Sequence, residues 1–305
     1  MIAYLRLIRL PNLLVVALVQ WLLQYKVLLP FYDTVGLSPM LDDLDFGILV
    51  VVTVFLTMAG YIINDVYDYP IDRVNKPEKT IIGGKISLQA ARFLFYGMAI
   101  MGASLAFYLA LKIDRMQWLI LYPIALGVLV AYARYFKKTT LVGNLIVSAF
   151  CAGVAIIVLF PEWENFAGET MTLEALRVVS VFSGYAFFAF FLTMYREVIK
   201  DMEDVEGDMQ FGCRTLPIVA GISFSRKFAM VWMVALLIVI GFALPVMWKN
   251  ALILFCWVLL TVFIPGIISI ILLWNANSKK QFHLISQLVK IIMVTGTLSL
   301  VIVNL

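Results

Sequence analysis

The sequence predicts an all-α integral membrane protein with nine transmembrane helices. Hydrophobic residues make up 63% of the 305 residues and charged residues only 14%, and the mean hydropathy is +0.99. Apolar stretches of about 20 residues, the length that crosses a bilayer as a helix, recur along the whole chain. A soluble β or α/β protein is excluded, because these stretches leave no room for strands separated by turns.

The nine predicted spans follow one another with short polar connections and form a single domain over residues 1–305. The first apolar stretch is long, and no small-residue cleavage site follows it, so we interpret it as a retained helix and not as a signal peptide. The predicted spans are residues 10–31, 45–63, 92–112, 117–134, 141–160, 175–196, 227–248, 251–274 and 284–303.

The distribution of basic residues predicts how these spans are oriented. If the N-terminus is cytoplasmic, 18 of the 23 Lys and Arg residues fall in segments on the inner side of the membrane. The positive-inside rule therefore predicts a cytoplasmic N-terminus and an external C-terminus, in the inner or plasma membrane of the cell.

Two acidic motifs in the chain share one spacing. Motif 1 (residues 64–72) reads NDVYDYPID, and motif 2 (residues 200–208) reads KDMEDVEGD. Both contain D-x2-D-x3-D, and positions i, i+3 and i+7 lie along one face of a helix. Both follow even-numbered spans, which predicts a parallel repeat with one shared site on the cytoplasmic side. The aspartates are Asp65, Asp68 and Asp72 in motif 1, and Asp201, Asp204 and Asp208 in motif 2.

Carboxylates grouped this closely predict a site for divalent cations. They repel one another beside a membrane unless cations bind them. All acidic residues of the predicted inner segments lie in or next to the two motifs, and the rest of that side is basic. Such a surface suits a phosphate bridged by Mg²⁺, with Lys and Arg taking the remaining charge. One stripe alone is equally typical of a solvated helix face, but the duplicated spacing favours a site.

Basic residues near the motifs are candidates for binding the phosphate groups of a substrate. Arg196 and Lys200 lie within about one turn of the aspartates of motif 2, where ion pairs with Glu197 or Asp204 are the alternative to phosphate contact. Three basic residues at the connection between the fourth and fifth spans, Arg134, Lys137 and Lys138, are candidates for a second anionic subsite. Positive-inside anchoring explains them equally well. The candidates are Lys76, Lys79, Arg134, Lys137, Lys138, Arg196 and Lys200.

The pair of motifs resembles the two aspartate motifs of the UbiA superfamily of intramembrane prenyltransferases. The resemblance covers essentially the whole chain and implies a ring of nine helices around a central cavity, with both motifs at its cytoplasmic mouth. It implies that the cofactor is Mg²⁺, bound as two ions. It also implies a catalytic role for Asp68, Asp72, Asp204 and Asp208. The metal ligands that it implies are Asn64, Asp68, Asp72, Asp204 and Asp208, with Asp65 and Asp201 as further ligands.

Three stretches look most like one branch of that superfamily, the digeranylgeranylglyceryl phosphate synthases. They are residues 68–84, 135–148 and 196–219. The branch transfers a geranylgeranyl group to geranylgeranylglyceryl phosphate. One departure leaves the acceptor open, since KTIIGG at residues 79–84 stands where the branch usually has Arg-Pro-Ile-Pro-Ser-Gly. The partners that the resemblance implies are a polyprenyl diphosphate donor, a lipophilic acceptor and membrane lipid. It implies no nucleic acid partner, and it leaves the oligomeric state open.

Other functions remain as alternatives. Transfer to an aromatic acceptor, as in quinone biosynthesis, would use the same motifs. A divalent-cation or phosphate transporter could also use these carboxylates, but inverted repeats would place them on opposite sides of the membrane. A CDP-alcohol phosphotransferase is disfavoured because its D-x2-D-G-x2-A-R motif is missing.

Overall fold

The computed structural model describes residues 2–75, 81–166 and 172–303, without the side chains of residues 71–75 and Asn165. Within this part of the chain, nine helices are long and apolar enough to cross a membrane, which confirms the predicted fold class. We label them α1 (Leu10–Val35), α2 (Asp43–Asn75), α3 (Leu88–Lys112), α4 (Met116–Arg134), α5 (Val142–Leu159), α6 (Leu173–Gln210), α7 (Ile222–Asn250), α8 (Leu252–Asn275) and α9 (Lys279–Val301). A short helix, Ile2–Leu7, precedes α1.

The helices that carry the two motifs are longer than the predicted spans. The spans 45–63 and 175–196 end before the motifs, whereas α2 continues to Asn75 and α6 to Gln210. The prediction followed hydropathy, which falls where the motifs begin. The backbone hydrogen bonding of a helix does not depend on apolar side chains, so the helices continue. Both motifs therefore lie on the last turns of their own membrane-spanning helices.

Two spans, α1 and α8, contain a widened turn next to a proline. The π-helical segments Gln24–Leu28 and Leu259–Phe263 each end two residues before a proline, Pro30 and Pro265. A proline ring clashes with the carbonyl group four residues earlier, which lies inside the π segment in both cases. The widened turn accommodates that ring without ending the helix.

Helix α6 links the two halves of the bundle. Its first half packs with α1, α2 and α5 in one buried cluster that includes Val178 and Phe182. Its second half packs with α7, α8 and α9 through Leu192, Tyr195 and Ile199. The outside of the bundle is apolar, as a surface that faces lipid requires; the Phe242 side chain, for example, is 80% exposed.

Candidate functional site

Motif 1 makes two kinds of contact at the end of α2. Within the helix, Asn64 Nδ2 donates a 2.7 Å hydrogen bond to Asp68 Oδ2. Between segments, the Arg9 guanidinium donates a 2.8 Å hydrogen bond to Asp65 Oδ1. The same guanidinium lies 4.6 Å from the ring centre of Tyr61, one turn before Asp65. Asp65, expected as a further metal ligand, thus contacts a cation from another segment.

Arg9 has an uncommon backbone conformation. It connects the helix Ile2–Leu7 to α1 with a φ of 53°, in the left-handed region that residues other than glycine rarely adopt. This turn directs the side chain onto the face of α2 that carries Asp65 and Tyr61. Asn12, in the first turn of α1, donates a 3.3 Å hydrogen bond to the Tyr61 hydroxyl group.

Motif 2 has different partners at the end of α6. Asp201 Oδ2 accepts a 2.8 Å hydrogen bond from Asn144 Nδ2 in α5. One turn earlier, Glu197 accepts hydrogen bonds from Lys200 at 2.9 and 3.0 Å and from Arg196 at 3.2 Å. Both basic residues thus make the Glu197 ion pairs that the sequence offered as the alternative to phosphate contact.

Lys137, between α4 and α5, joins the two motifs. Its ammonium group forms an ion pair with the Asp68 carboxylate of motif 1. It also interacts electrostatically with Asp208 of motif 2 and with Cys213, which follows α6. Burial, together with the charge of Lys138, lowers the pKa of Lys137 to about 8. Lys137 therefore contacts motif 1, and the charge of Asp208 in motif 2 favours its protonated form.

Contacts of the neighbouring residues hold the Lys137 segment in place. Lys138 O accepts a 2.8 Å hydrogen bond from Arg214 N, and Thr140 Oγ1 donates a 2.6 Å bond to Arg214 O. At Gly143 a Cβ atom would lie 2.8 Å from the Cα atom of Lys137, so only glycine fits against this segment. The connection between α4 and α5 is thus fastened to the chain that leaves motif 2.

The remaining basic candidates do not all reach the motifs. Arg134 is exposed and stacks on the ring of its neighbour Tyr135, with 4.9 Å between the guanidinium carbon and the ring centre. Lys76 and Lys79 lie outside the described residues, as does the side chain of Asp72. Of the three-residue basic subsite predicted between the fourth and fifth spans, Lys137 is the residue that contacts a motif aspartate.

The oxygen donors at this site fit a hard divalent cation. Asn64 Oδ1 is buried and accepts no hydrogen bond from the described residues, although its amide group contacts Asp68. Among the side chains that the structure describes, no three His, Cys, Asp or Glu residues lie close enough to enclose a metal ion. Mg²⁺ in phosphate-transfer sites is usually bound by one or two carboxylates together with substrate oxygens. The metal-binding roles stay predictions.

Three residues of this site were missed as site residues at the sequence level. Arg9 was counted only for topology, Asn144 lies in an apolar stretch, and Glu197 was considered only as an ion-pair partner. Two signals could have found Asn144 and Glu197, whereas neither applies to Arg9, which precedes the first predicted span. Polar side chains within spans are functional candidates by default, and Glu197 precedes Asp201 by four residues, on the same face of the helix.

Comparison with known proteins gives a consistent result. Residues 34–291 match the model of the UbiA prenyltransferase family. A digeranylgeranylglyceryl phosphate synthase from Methanobrevibacter smithii is 38% identical over 60% of this chain and 61% of that protein. One from Saccharolobus solfataricus is 32% identical over 78% of this chain and 75% of that protein. The chain thus spans about three fifths of the length of the first of these relatives.

Solved structures share the fold. One, described as giving insights into the biosynthesis of digeranylgeranylglyceryl phosphate synthase in membranes, has a TM-score of 0.61 and 27% identity, covering 98% of this chain and 96% of that one. A UbiA homolog from Archaeoglobus fulgidus bound to DMAPP and Mg²⁺ has a TM-score of 0.57 and 15% identity, covering 98% and 99% of the two chains.

Proposed function

The chain belongs to the UbiA prenyltransferase family, and we propose that it transfers a geranylgeranyl group from its diphosphate to geranylgeranylglyceryl phosphate, with two Mg²⁺ ions as cofactor. The observation that carries this proposal is the position of Lys137, which contacts motif 1 and interacts with Asp208 of motif 2. Two acidic motifs around one cation suit a diphosphate that needs both metal and ammonium contacts. The names of the relatives support the acceptor.

The integral membrane protein would present this site to the cytoplasm, as the distribution of its basic residues favours. In this proposal motifs 1 and 2 are the equivalent parts of a parallel repeat within one domain over residues 1–305. A shared side allows one diphosphate to contact both motifs, which opposite sides would prevent.

The residues that would hold Mg²⁺ are Asn64, Asp68, Asp72, Asp204 and Asp208. When bound, Mg²⁺ neutralises the diphosphate charge that develops as the allylic C–O bond breaks. Lys137 would donate hydrogen bonds to the departing diphosphate from the position where it now contacts Asp68. Such a charge-assisted contact contributes more than a neutral hydrogen bond. The acceptor hydroxyl group would then form the new C–O bond to the allylic carbon, and its proton would pass to the departing diphosphate or to water.

A transfer assay tests this function. Purified protein would be incubated with labelled geranylgeranyl diphosphate and Mg²⁺, and offered geranylgeranylglyceryl phosphate or a panel of aromatic acids. We expect labelled ether product with the glyceryl phosphate alone, and no product when a chelator removes Mg²⁺. Product formed only with an aromatic acid would replace the proposed acceptor, and the absence of any metal-dependent transfer would reject prenyl transfer.

A further inference from the structure

A second polar layer lies one helical turn from the motifs, toward the middle of the spans. Tyr61 precedes Asp65 by four residues in α2, and Glu197 precedes Asp201 by four residues in α6. Arg9 contacts the Tyr61 ring. Burial lowers the pKa of Arg9, and the charges of Asp65, Tyr132 of α4 and Glu197 are among those that raise it. We call Arg9, Tyr61, Tyr132 and Glu197 the inner polar layer; it gathers side chains from α2, α4, α6 and the segment before α1.

Arg9 is the cation of the inner polar layer, and its guanidinium group retains N–H donors for a ligand. A guanidinium group has five N–H donors in a planar fork, and Arg9 donates to Asp65 alone among the described residues. Its side chain is 41% exposed, and the Tyr61 ring supports one face of it. The other cations nearby, Arg196 and Lys200, are already bonded to Glu197.

The backbone supports a specific role for this arginine. A left-handed conformation at a residue other than glycine is unfavourable and is retained where the surrounding structure requires it. Here the turn at Arg9 brings a guanidinium group beside Asp65, while Asn12 holds the ring against which it stacks. The guanidinium is therefore oriented before any ligand binds, which reduces the entropy lost on binding.

The chemistry of the proposed reaction requires a second anion subsite close to the motifs. The donor diphosphate belongs at the motif aspartates, so its allylic carbon lies next to them. The acceptor hydroxyl group must come within about 3–3.5 Å of that carbon, and in a glyceryl phosphate the phosphate group is only a few bonds from the hydroxyl. The acceptor phosphate therefore lies close to the motifs but apart from the metal-bound diphosphate.

We propose that Arg9 binds the phosphate group of the acceptor. This inference rests on the proposed function and names the subsite that gives the enzyme its selectivity for a phosphorylated acceptor. The guanidinium fork matches two phosphate oxygens, and Asp65 positions it from the opposite side. The inference replaces the subsite expected at Arg134, Lys137 and Lys138, because Arg134 is exposed and Lys137 contacts Asp68.

The test compares two acceptors that differ by one phosphate, geranylgeranylglyceryl phosphate and geranylgeranylglycerol. In Arg9→Gln, we expect the KM for the phosphorylated acceptor to rise by about ten- to a hundredfold, the range for a lost charge-assisted contact. The KM for geranylgeranyl diphosphate should change by less than about twofold, and the preference for the phosphorylated acceptor should largely disappear. Arg6→Gln is the matched control, since Arg6 is exposed and three residues away; its kinetics should equal the wild type.

Arg9→Lys keeps the positive charge and removes the fork, so it guards against a Gln variant that does not fold. We expect a smaller rise in acceptor KM, about three- to tenfold, with the donor KM unchanged. An unchanged acceptor KM in Arg9→Lys, or a larger rise in donor KM than in acceptor KM in either variant, overturns the inference alone. Wild-type protein that does not use the phosphorylated acceptor overturns the proposed function and this inference together.

Discussion

Motif 1 and motif 2 share one spacing but have different partners. Motif 1 depends on other segments, because Asp65 pairs with Arg9 and Asp68 with Lys137. One turn before motif 2, Glu197 pairs with Arg196 and Lys200 of its own helix. Within motif 2, Asp201 accepts a hydrogen bond from Asn144, and Glu203 contacts the His283 ring of α9 at 2.9 Å. The equivalent positions differ accordingly, with Tyr61 and Asn64 in α2 replaced by Glu197 and Lys200 in α6.

This difference shows that a repeated spacing does not make two equivalent sites. The cations around motif 1 arrive on separate chain segments, so the position of its carboxylates depends on how those segments pack. Beside motif 2, the charge of Glu197 is balanced by Arg196 and Lys200 within a single helix, over one turn. We therefore expect substitutions around motif 1 to act on substrate binding, and those around motif 2 to act on stability as well.

The largest effects are expected at the central aspartates of the motifs. Asp68→Ala and Asp204→Ala each remove a proposed metal ligand, which should lower kcat by about a thousandfold or more through lost stabilisation of the leaving diphosphate. Turnover of labelled geranylgeranyl diphosphate measures this, with size-exclusion profiles as the control for folding. Near wild-type turnover in either variant would mean that one motif alone performs the reaction.

Substitutions of Lys137 and Lys138 should have different effects on donor kinetics. Lys137→Gln removes the cation that contacts Asp68, and we expect kcat/KM for the donor to fall by about ten- to a hundredfold. Lys138→Gln, the matched neighbour, should change it by less than about threefold, because the contact that we find for Lys138 uses its backbone carbonyl. Equal losses in the two variants would indicate a general charge effect instead of a contact at motif 1.

Asn144 provides the corresponding test at motif 2. Asn144→Ala leaves the Asp201 carboxylate without its amide donor, and we expect a loss of about 1–3 kcal/mol in stability. Thermal unfolding in detergent measures the change against Leu145→Ala, an exposed neighbour in the same helix. A melting temperature equal to that of the control would show that Asp201 does not need this partner.

Cysteine labelling checks that the two motifs share a side of the membrane. In a cysteine-free background, Gly84→Cys after motif 1 and Glu206→Cys in motif 2 should react only with a reagent supplied from the cytoplasm. Glu174→Cys, at the other end of α6, should react only from outside; all three positions are exposed. Labelling of residues 84 and 206 from opposite sides would contradict the single shared site.

Several features of this protein follow from its sequence alone. The nine spans of the part of the chain that the structure describes, and the helical conformation of motifs 1 and 2, depend on apolar length and other local properties, so they were predicted correctly. The ends of α2 and α6 were predicted too early, because hydropathy reports where a helix leaves an apolar environment and not where its backbone hydrogen bonding stops. The acceptor subsite expected at Arg134, Lys137 and Lys138 relied on neighbourhood in the chain, and it stays a prediction.

Only the tertiary structure decided which residues of other segments the motif carboxylates contact. Asp65 pairs with a residue 56 positions away in the chain, and Asp201 with one 57 positions away. Such partners depend on which helices are neighbours and on how each is rotated about its axis, and in a membrane both follow from close packing between helices. At equivalent positions of the repeated spacing, Asp65 thereby acquires a guanidinium partner and Asp201 an amide partner.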